Sequence, residues 1–140
     1  MTTISKEFNW EMSHRLTFHD GACKNIHGHS YKMQIILKGE LDKQGMIIDF
    51  YDLAKIVDPL IEKLDHAFLC NNEDQKMIDF LKENNFKYYV MDDFTTCENM
   101  CSLFISEFEP LFKKFNNIKE LGVRVYETLD AYAEKWHTIN

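Results

Sequence analysis

The chain has 140 residues, of which 45% are hydrophobic, 28% charged and 14% aromatic. That composition suits one folded domain over 1–140 and is too aromatic for disorder. The formal charge of −7 leaves no broad basic face for nucleic acid or an anionic membrane. No run of 18 apolar residues is present, so no transmembrane helix is expected. The opening MTTISKEFNW lacks the apolar stretch of a secretory signal, so the expected compartment is the cytosol. Cys23, Cys70, Cys97 and Cys101 are then expected as free thiols.

Residues 2–14 alternate, with Ile4, Phe8, Trp10, Met12 and His14 at one parity, which predicts a half-buried strand. HDGACKNI (19–26) reads as a loop. Alternation resumes over 27–38, where His27, His29, Tyr31, Met33, Ile35 and Leu37 share a face. Gly39–Gly45 contains a turn leading into a further expected strand, GMIIDF. Asp49 stands at a helix N-cap, followed by Phe50, Leu53, Ile56, Val57, Leu60, Ile61 and Leu64 at helical spacing. Pro59 predicts a kink or a ragged second half there. Residues 70–85 suggest a loop with a short helix around Met77–Leu81, and FKYYVM (86–91) a short strand.

Thr95 and Glu98 have capping-box spacing ahead of a second long amphipathic helix carrying Met100, Cys101, Phe104, Phe108, Leu111, Phe112 and Phe115. Pro110 suggests an irregular turn near its end. Residues 118–127 read as a strand with Leu121, Val123, Val125 and Glu127 on one face, and 131–137 as a last strand. The order is that of an α+β domain built on antiparallel hairpins.

His27 and His29, two apart on a strand, project from the same side, and their imidazoles can share a metal. His14 has the parity to join them from the partner strand. Three histidines with one open position is a catalytic zinc arrangement. Cys23, four residues before His27, is open to three readings: a thiolate base or nucleophile, a fourth ligand closing a structural site, or a buried small residue. Asp65 and His66 end the first helix, and adjacency alone does not make them touch. Glu127 lies at an apolar parity, where a carboxylate needs partners. Either it accepts two N–H groups of a flat heterocycle, or it reaches solvent at the strand end. Cys97 and Cys101, at i and i+4, read as core.

Together these residues resemble the 6-pyruvoyltetrahydropterin synthase / 6-carboxytetrahydropterin synthase family. The resemblance runs in order through SHRL (13–16), CKNIHGHSY (23–31), GMIIDFYDL (45–53), LDHAFL (64–69), TCEN (96–99) and VYET (125–128). It implies a tunnelling fold (T-fold), with a four-stranded antiparallel sheet, two helices on one face, and subunits joined into a barrel as a trimer or dimer of trimers. The 70–94 segment looks like an insertion. The resemblance also implies Zn2+ on His14, His27 and His29, Cys23 as general base, and Asp65 with His66 as a second acid/base pair from a neighbouring subunit. Glu127 is implied as the pterin anchor, with Thr96 and Glu98 near the pterin pocket. Thr95 stands where many bacterial members have Pro. The Cys-x3-His-Gly-His spacing looks like the queuosine-pathway 6-carboxy branch, which implies 7,8-dihydroneopterin triphosphate as substrate. Arg15 and Lys24 are the nearby cations that a triphosphate would need.

Overall fold

The structure, a computed structural model, describes residues Met1–Asn140. In chain order the elements are β1 (Thr2–His14), a 3-10 turn (Ala22–Lys24), β2 (His27–Gly39), α1 (Phe50–Leu64), β3 (Ala67–Asn71), α2 (Gln75–Glu83), β4 (Tyr88–Met91), α3 (Cys97–Phe112), β5 (Ile118–Thr128) and β6 (Ala131–Thr138). They form one six-stranded sheet in the order β4-β3-β1-β2-β5-β6. No helix is long and apolar enough to cross a membrane.

The long β1–β2 hairpin positions the site. Its antiparallel register runs from Thr2 opposite Gly39 to His14 opposite His27. Side chains alternate across a strand, so Phe8, Trp10, Met12 and His14 of β1 and Tyr31, Met33, Ile35 and Leu37 of β2 are buried on one face. β5 adds Leu121, Val123 and Val125 to that face, all fully buried. α1 and α3 close over it through Leu53, Val57, Leu60 and Leu64, and through Met100, Phe104, Phe108 and Phe112. Each such side chain contributes roughly 1.5–3 kcal/mol on burial. Trp10 stacks on Tyr31 with ring centroids 5.5 Å apart and meets Phe104 edge-on at 5.8 Å.

The sheet departs from the expected four antiparallel strands. β3 and β4 add two more, paired parallel to β1 and to each other. All five residues of β3 are buried. Leu69 faces the main core, while Phe68 and Cys70 pack under Met77, Ile78 and Leu81 of α2. A strand covered on both faces has no alternation to read, which is why Ala67–Asn71 does not announce itself. The 70–94 segment is thus the α2–β4 arm of a β-α-β unit, and α2 lies on the face opposite α1 and α3.

GMIIDF is not a strand. Ile47 and Ile48 are both buried, but the segment pairs with no strand. The segment is instead tied by side chains. Asp42 accepts from the Gln44 and Met46 N–H groups at 2.9 Å each, and Asn117 Nδ2 donates to the Ile47 carbonyl at 2.8 Å. Gly45 takes a φ of +85°, open to a residue without Cβ.

Pro59 does not break α1. It sits on the exposed side, and its missing N–H leaves the Lys55 carbonyl, on an exposed residue, without a helical donor. Pro110 is likewise exposed, and α3 continues through it to Phe112. Asp49 caps α1 as expected, accepting from Tyr51 N–H at 2.7 Å. The cap of α3 is Thr96 rather than Thr95: its Oγ1 accepts from Asn99 N–H at 3.1 Å.

Candidate metal centre

The hairpin brings His14, His27 and His29 together at its loop end, beside the 15–26 connection. One nitrogen from each lies within 4.8 Å of the others. Two of the rings are held by backbone carbonyls. His14 Nδ1–H donates to Thr95 O at 2.8 Å, and His27 Nδ1–H donates to Asn25 O at 2.7 Å. A carbonyl on Nδ1 fixes the tautomer and leaves Nε2 with its lone pair free. His29 Nε2 is buried with no hydrogen-bond partner.

The electrostatics favour neutral rings. His14 is 1% exposed. Burial takes its pKa down to about 4, and His27 and His29 push the same way, against the Thr95 carbonyl. Burial also lowers His29, opposed by the Glu127 carboxylate. Metals require unprotonated imidazole. Three imidazole nitrogens, one of them orphaned in a buried position, fit a divalent transition ion with a position left open.

Cys23 is outside this group of ligand atoms. It lies in the 3-10 turn, half-buried, with its carbonyl accepting from Leu16 N–H at 2.8 Å. That bond folds the 15–26 loop back onto the end of β1. Glu127 lies beyond the last β2–β5 pair, Lys32 with Tyr126, and at a bulge against β6. Its Oε1 is 3.7 Å from His14 Nε2 and its side chain is 29% exposed. It therefore borders the three histidines with one side open.

Asp65 and His66 do touch. His66 has a φ of +60°, a left-handed conformation that folds its ring back. Its Nδ1 is 2.9 Å from Asp65 Oδ1. The pair is anchored to β1, where Glu11 N–H donates to Asp65 Oδ1 at 3.0 Å and His66 N–H donates to Glu11 O at 2.6 Å. The Glu11 N–H foremost, and then His66, hold the Asp65 carboxyl below its ordinary range. His66 is 76% exposed and lines a depression of about 340 Å³ with Glu11, Ser13 and Ser30. The side chains of Glu11, Ser13 and Ser30 alternate onto the face away from His14, and of the three histidines only His29 also borders this depression.

Thr96 is half-buried and is engaged in capping α3. Glu98 is exposed on the first turn of that helix. Cys97 and Cys101 are buried, and their thiols donate to Val125 O at 3.0 Å and Ala133 O at 3.4 Å. Burial pushes their pKa values to about 12 and about 11. All four cysteines are free thiols.

Arg15 is not a free cation. Its Nε and Nη2 donate to Asp74 at 2.8 and 2.6 Å, a bidentate pair. Asp74 precedes α2 but does not cap it with its side chain, since both oxygens serve Arg15. The triphosphate role suggested by proximity in sequence therefore loses Arg15. Lys24 remains exposed.

Two further residues shape the site. Thr95, 1% exposed, supplies the carbonyl that orients His14, and its own hydroxyl donates to Arg15 O at 3.2 Å. Nothing in the sequence singles out a carbonyl 81 positions away. Tyr31 shares the parity of His27 and His29, so its presence on the site face was readable. It is 1% exposed and its hydroxyl has no partner.

A mixed sheet with a trihistidine cluster at the loop end of its longest hairpin, flanked by a carboxylate, defines a protein of the T-fold class with a candidate metal site. The 6-pyruvoyl tetrahydropterin synthase family model matches residues 3–138. The 6-carboxy-5,6,7,8-tetrahydropterin synthase of Haemophilus influenzae is 34% identical over 145 residues, spanning 96% of this chain and 98% of that protein. The protein of the same name from Aquifex aeolicus is 30% identical over 155 residues, spanning 94% and 95%. Among solved structures, the 6-pyruvoyl tetrahydropterin synthase of Plasmodium falciparum aligns with a TM-score of 0.76 over 99% of this chain and 98% of that one, at 18% identity, a likeness of fold. The chain belongs to the 6-pyruvoyl tetrahydropterin synthase family.

Proposed function

We propose that this protein is a zinc-dependent 6-carboxy-5,6,7,8-tetrahydropterin synthase of queuosine biosynthesis, acting in the cytosol. It converts 7,8-dihydroneopterin triphosphate and one water to 6-carboxytetrahydropterin, acetaldehyde and triphosphate. The observation that carries this is the cluster of three imidazole nitrogens within 4.8 Å, with Glu127 at its rim. The names of the Haemophilus influenzae and Aquifex aeolicus relatives and the Cys-x3-His-Gly-His spacing select the 6-carboxy branch.

His14, His27 and His29 hold the ion. When bound, zinc polarises oxygens of the substrate side chain and makes the adjoining protons more acidic. Cys23, adjacent in the loop yet outside the ligand set, moves a proton between side chain and ring. Glu127 accepts two N–H groups of the pterin, with Thr96 and Glu98 near the pocket. His66, steered by Asp65, transfers the second proton.

The Asp65–His66 pair acts in a neighbouring subunit's site. Its placement on the opposite face of the sheet supports that arrangement. So do the two open edges of the sheet. β3 covers β1 only at Met12 and Ser13, and β6 has no outer neighbour. The assembly is a trimer or a dimer of trimers.

The test is to incubate zinc-loaded protein with 7,8-dihydroneopterin triphosphate and identify products by mass spectrometry. 6-Carboxytetrahydropterin with acetaldehyde is the expected outcome. 6-Pyruvoyltetrahydropterin as the end product would move the protein to the branch named by the family model. No turnover with zinc bound would refute both.

A further inference from the structure

Two buried side-chain polar atoms lack a hydrogen-bond partner, His29 Nε2 and the Tyr31 hydroxyl. They are two residues apart on β2 and on the same face. His29 Nε2 is accounted for as a metal ligand. The Tyr31 hydroxyl is not one of the three imidazole nitrogens and is left over.

A buried hydroxyl without a partner is destabilising, since it gives up its bonds to water and gains none. Phenylalanine would fill the same space without that cost. The ring itself is well packed, stacked on Trp10 at 5.5 Å and edge-on to His29 at 5.4 Å and to His14 at 6.2 Å. The packing therefore explains the ring and leaves the oxygen unexplained.

The register locates it further. Lys32 pairs with Tyr126, so one step on, Tyr31 and Glu127 are the next positions of β2 and β5. Both project to the helix side. Tyr31 thus lies against His14 and His29, and Glu127 reaches within 3.7 Å of His14 Nε2 on the same side.

We infer that the Tyr31 hydroxyl is a second anchor for the bound heterocycle, donating to a ring acceptor beside the N–H groups that Glu127 receives. This deepens the pterin reading and rests on it. A carboxylate alone fixes a donor edge but does not require an acceptor next to it. A neighbouring O–H donor adds that requirement, and a ring lacking the acceptor leaves Tyr31 unpaired.

The experiment compares zinc-loaded wild-type protein with Tyr31→Phe, using unsubstituted pterin as the probe and its fluorescence to follow binding. Zinc content and melting temperature are measured on both. The variant is expected to keep its zinc and to melt at the same or a higher temperature, while binding pterin about 10-fold or more weakly. Equal affinity in the two proteins overturns the inference while leaving the pterin reading intact. Loss of fold or of zinc in Tyr31→Phe also overturns it, because the hydroxyl then has a structural partner. Absence of pterin binding by the wild type overturns the pterin reading and this inference with it.

Discussion

His14 donates from Nδ1 to the carbonyl of Thr95 across 81 positions of chain, and that 2.8 Å bond orients the most buried of the three candidate ligands. The carbonyl is itself placed by the Thr95 hydroxyl, which reaches back to Arg15 O, one residue beyond His14. The closed loop of contacts joins the start of α3 to the end of β1.

Thr95→Val keeps the side-chain shape and removes that hydroxyl. The carbonyl remains but is less tightly held, so zinc affinity should fall about 10-fold, at the low end for partners of metal-bound histidine. Competition with a chromophoric chelator measures it. Thr95→Ser should restore most of the loss, and unchanged affinity in the valine variant would show that the hydroxyl has no part in ordering His14.

In metal-free protein His14 has a folded pKa of about 4 against an ordinary 6.5. The unfolded chain takes up the proton first as pH falls. The stability linked to the neutral ring is therefore complete above pH 6.5 and is lost progressively down to about pH 4. The full effect is on the order of 3 kcal/mol. Urea unfolding in chelator at pH 7.5, 6 and 4.5 should show the decline, and His14→Gln should flatten it between pH 6.5 and 4.5. An identical slope in that variant would assign the decline to other groups.

Asp74→Asn removes the charge that pairs with Arg15. Asp74 is nearly buried while Arg15 is 24% exposed. The expected loss is about 2–4 kcal/mol, somewhat below that for a fully buried pair. Since α2 begins at Gln75, hydrogen exchange should rise first in α2 and β4. A uniform rise across the sheet would contradict that localisation.

Cys23→Ala and His66→Ala, each inactive alone, should regain part of wild-type turnover when co-expressed and assembled together. Restoration follows only if the two residues complete one site from different chains. Homogeneous assemblies of each variant serve as controls, and mixed assemblies without activity would place both residues in the same chain's site.

The hairpin, its three histidines and the cap at Asp49 were legible because they follow from parity and local capping. Alternation alone places His14, His27 and His29 on one face of paired strands. Features set by distant chain were not legible. β3 is covered on both faces and lacks alternation, so the sequence shows the short helix and the strand at 86–91 of the parallel unit but not β3 itself. Ile47 and Ile48 look like a strand yet are held by Asp42 and Asn117. The touch between Asp65 and His66 depends on the left-handed backbone at His66, which residue type does not announce. Nor does residue type reveal that Asp74, 59 positions on, occupies Arg15.

The 27-residue hydrophobic core packs against the histidines through Tyr31, which is edge-on to His14 and His29, and backbone carbonyls hold Nδ1 of His14 and His27. We expect packing and these carbonyls to hold the pocket without an ion. Loading and removal are then exchange reactions on a standing scaffold, unlike small zinc modules that collapse when stripped. One preparation, emptied by chelation, should accept cobalt or zinc in turn without passing through an unfolded chain.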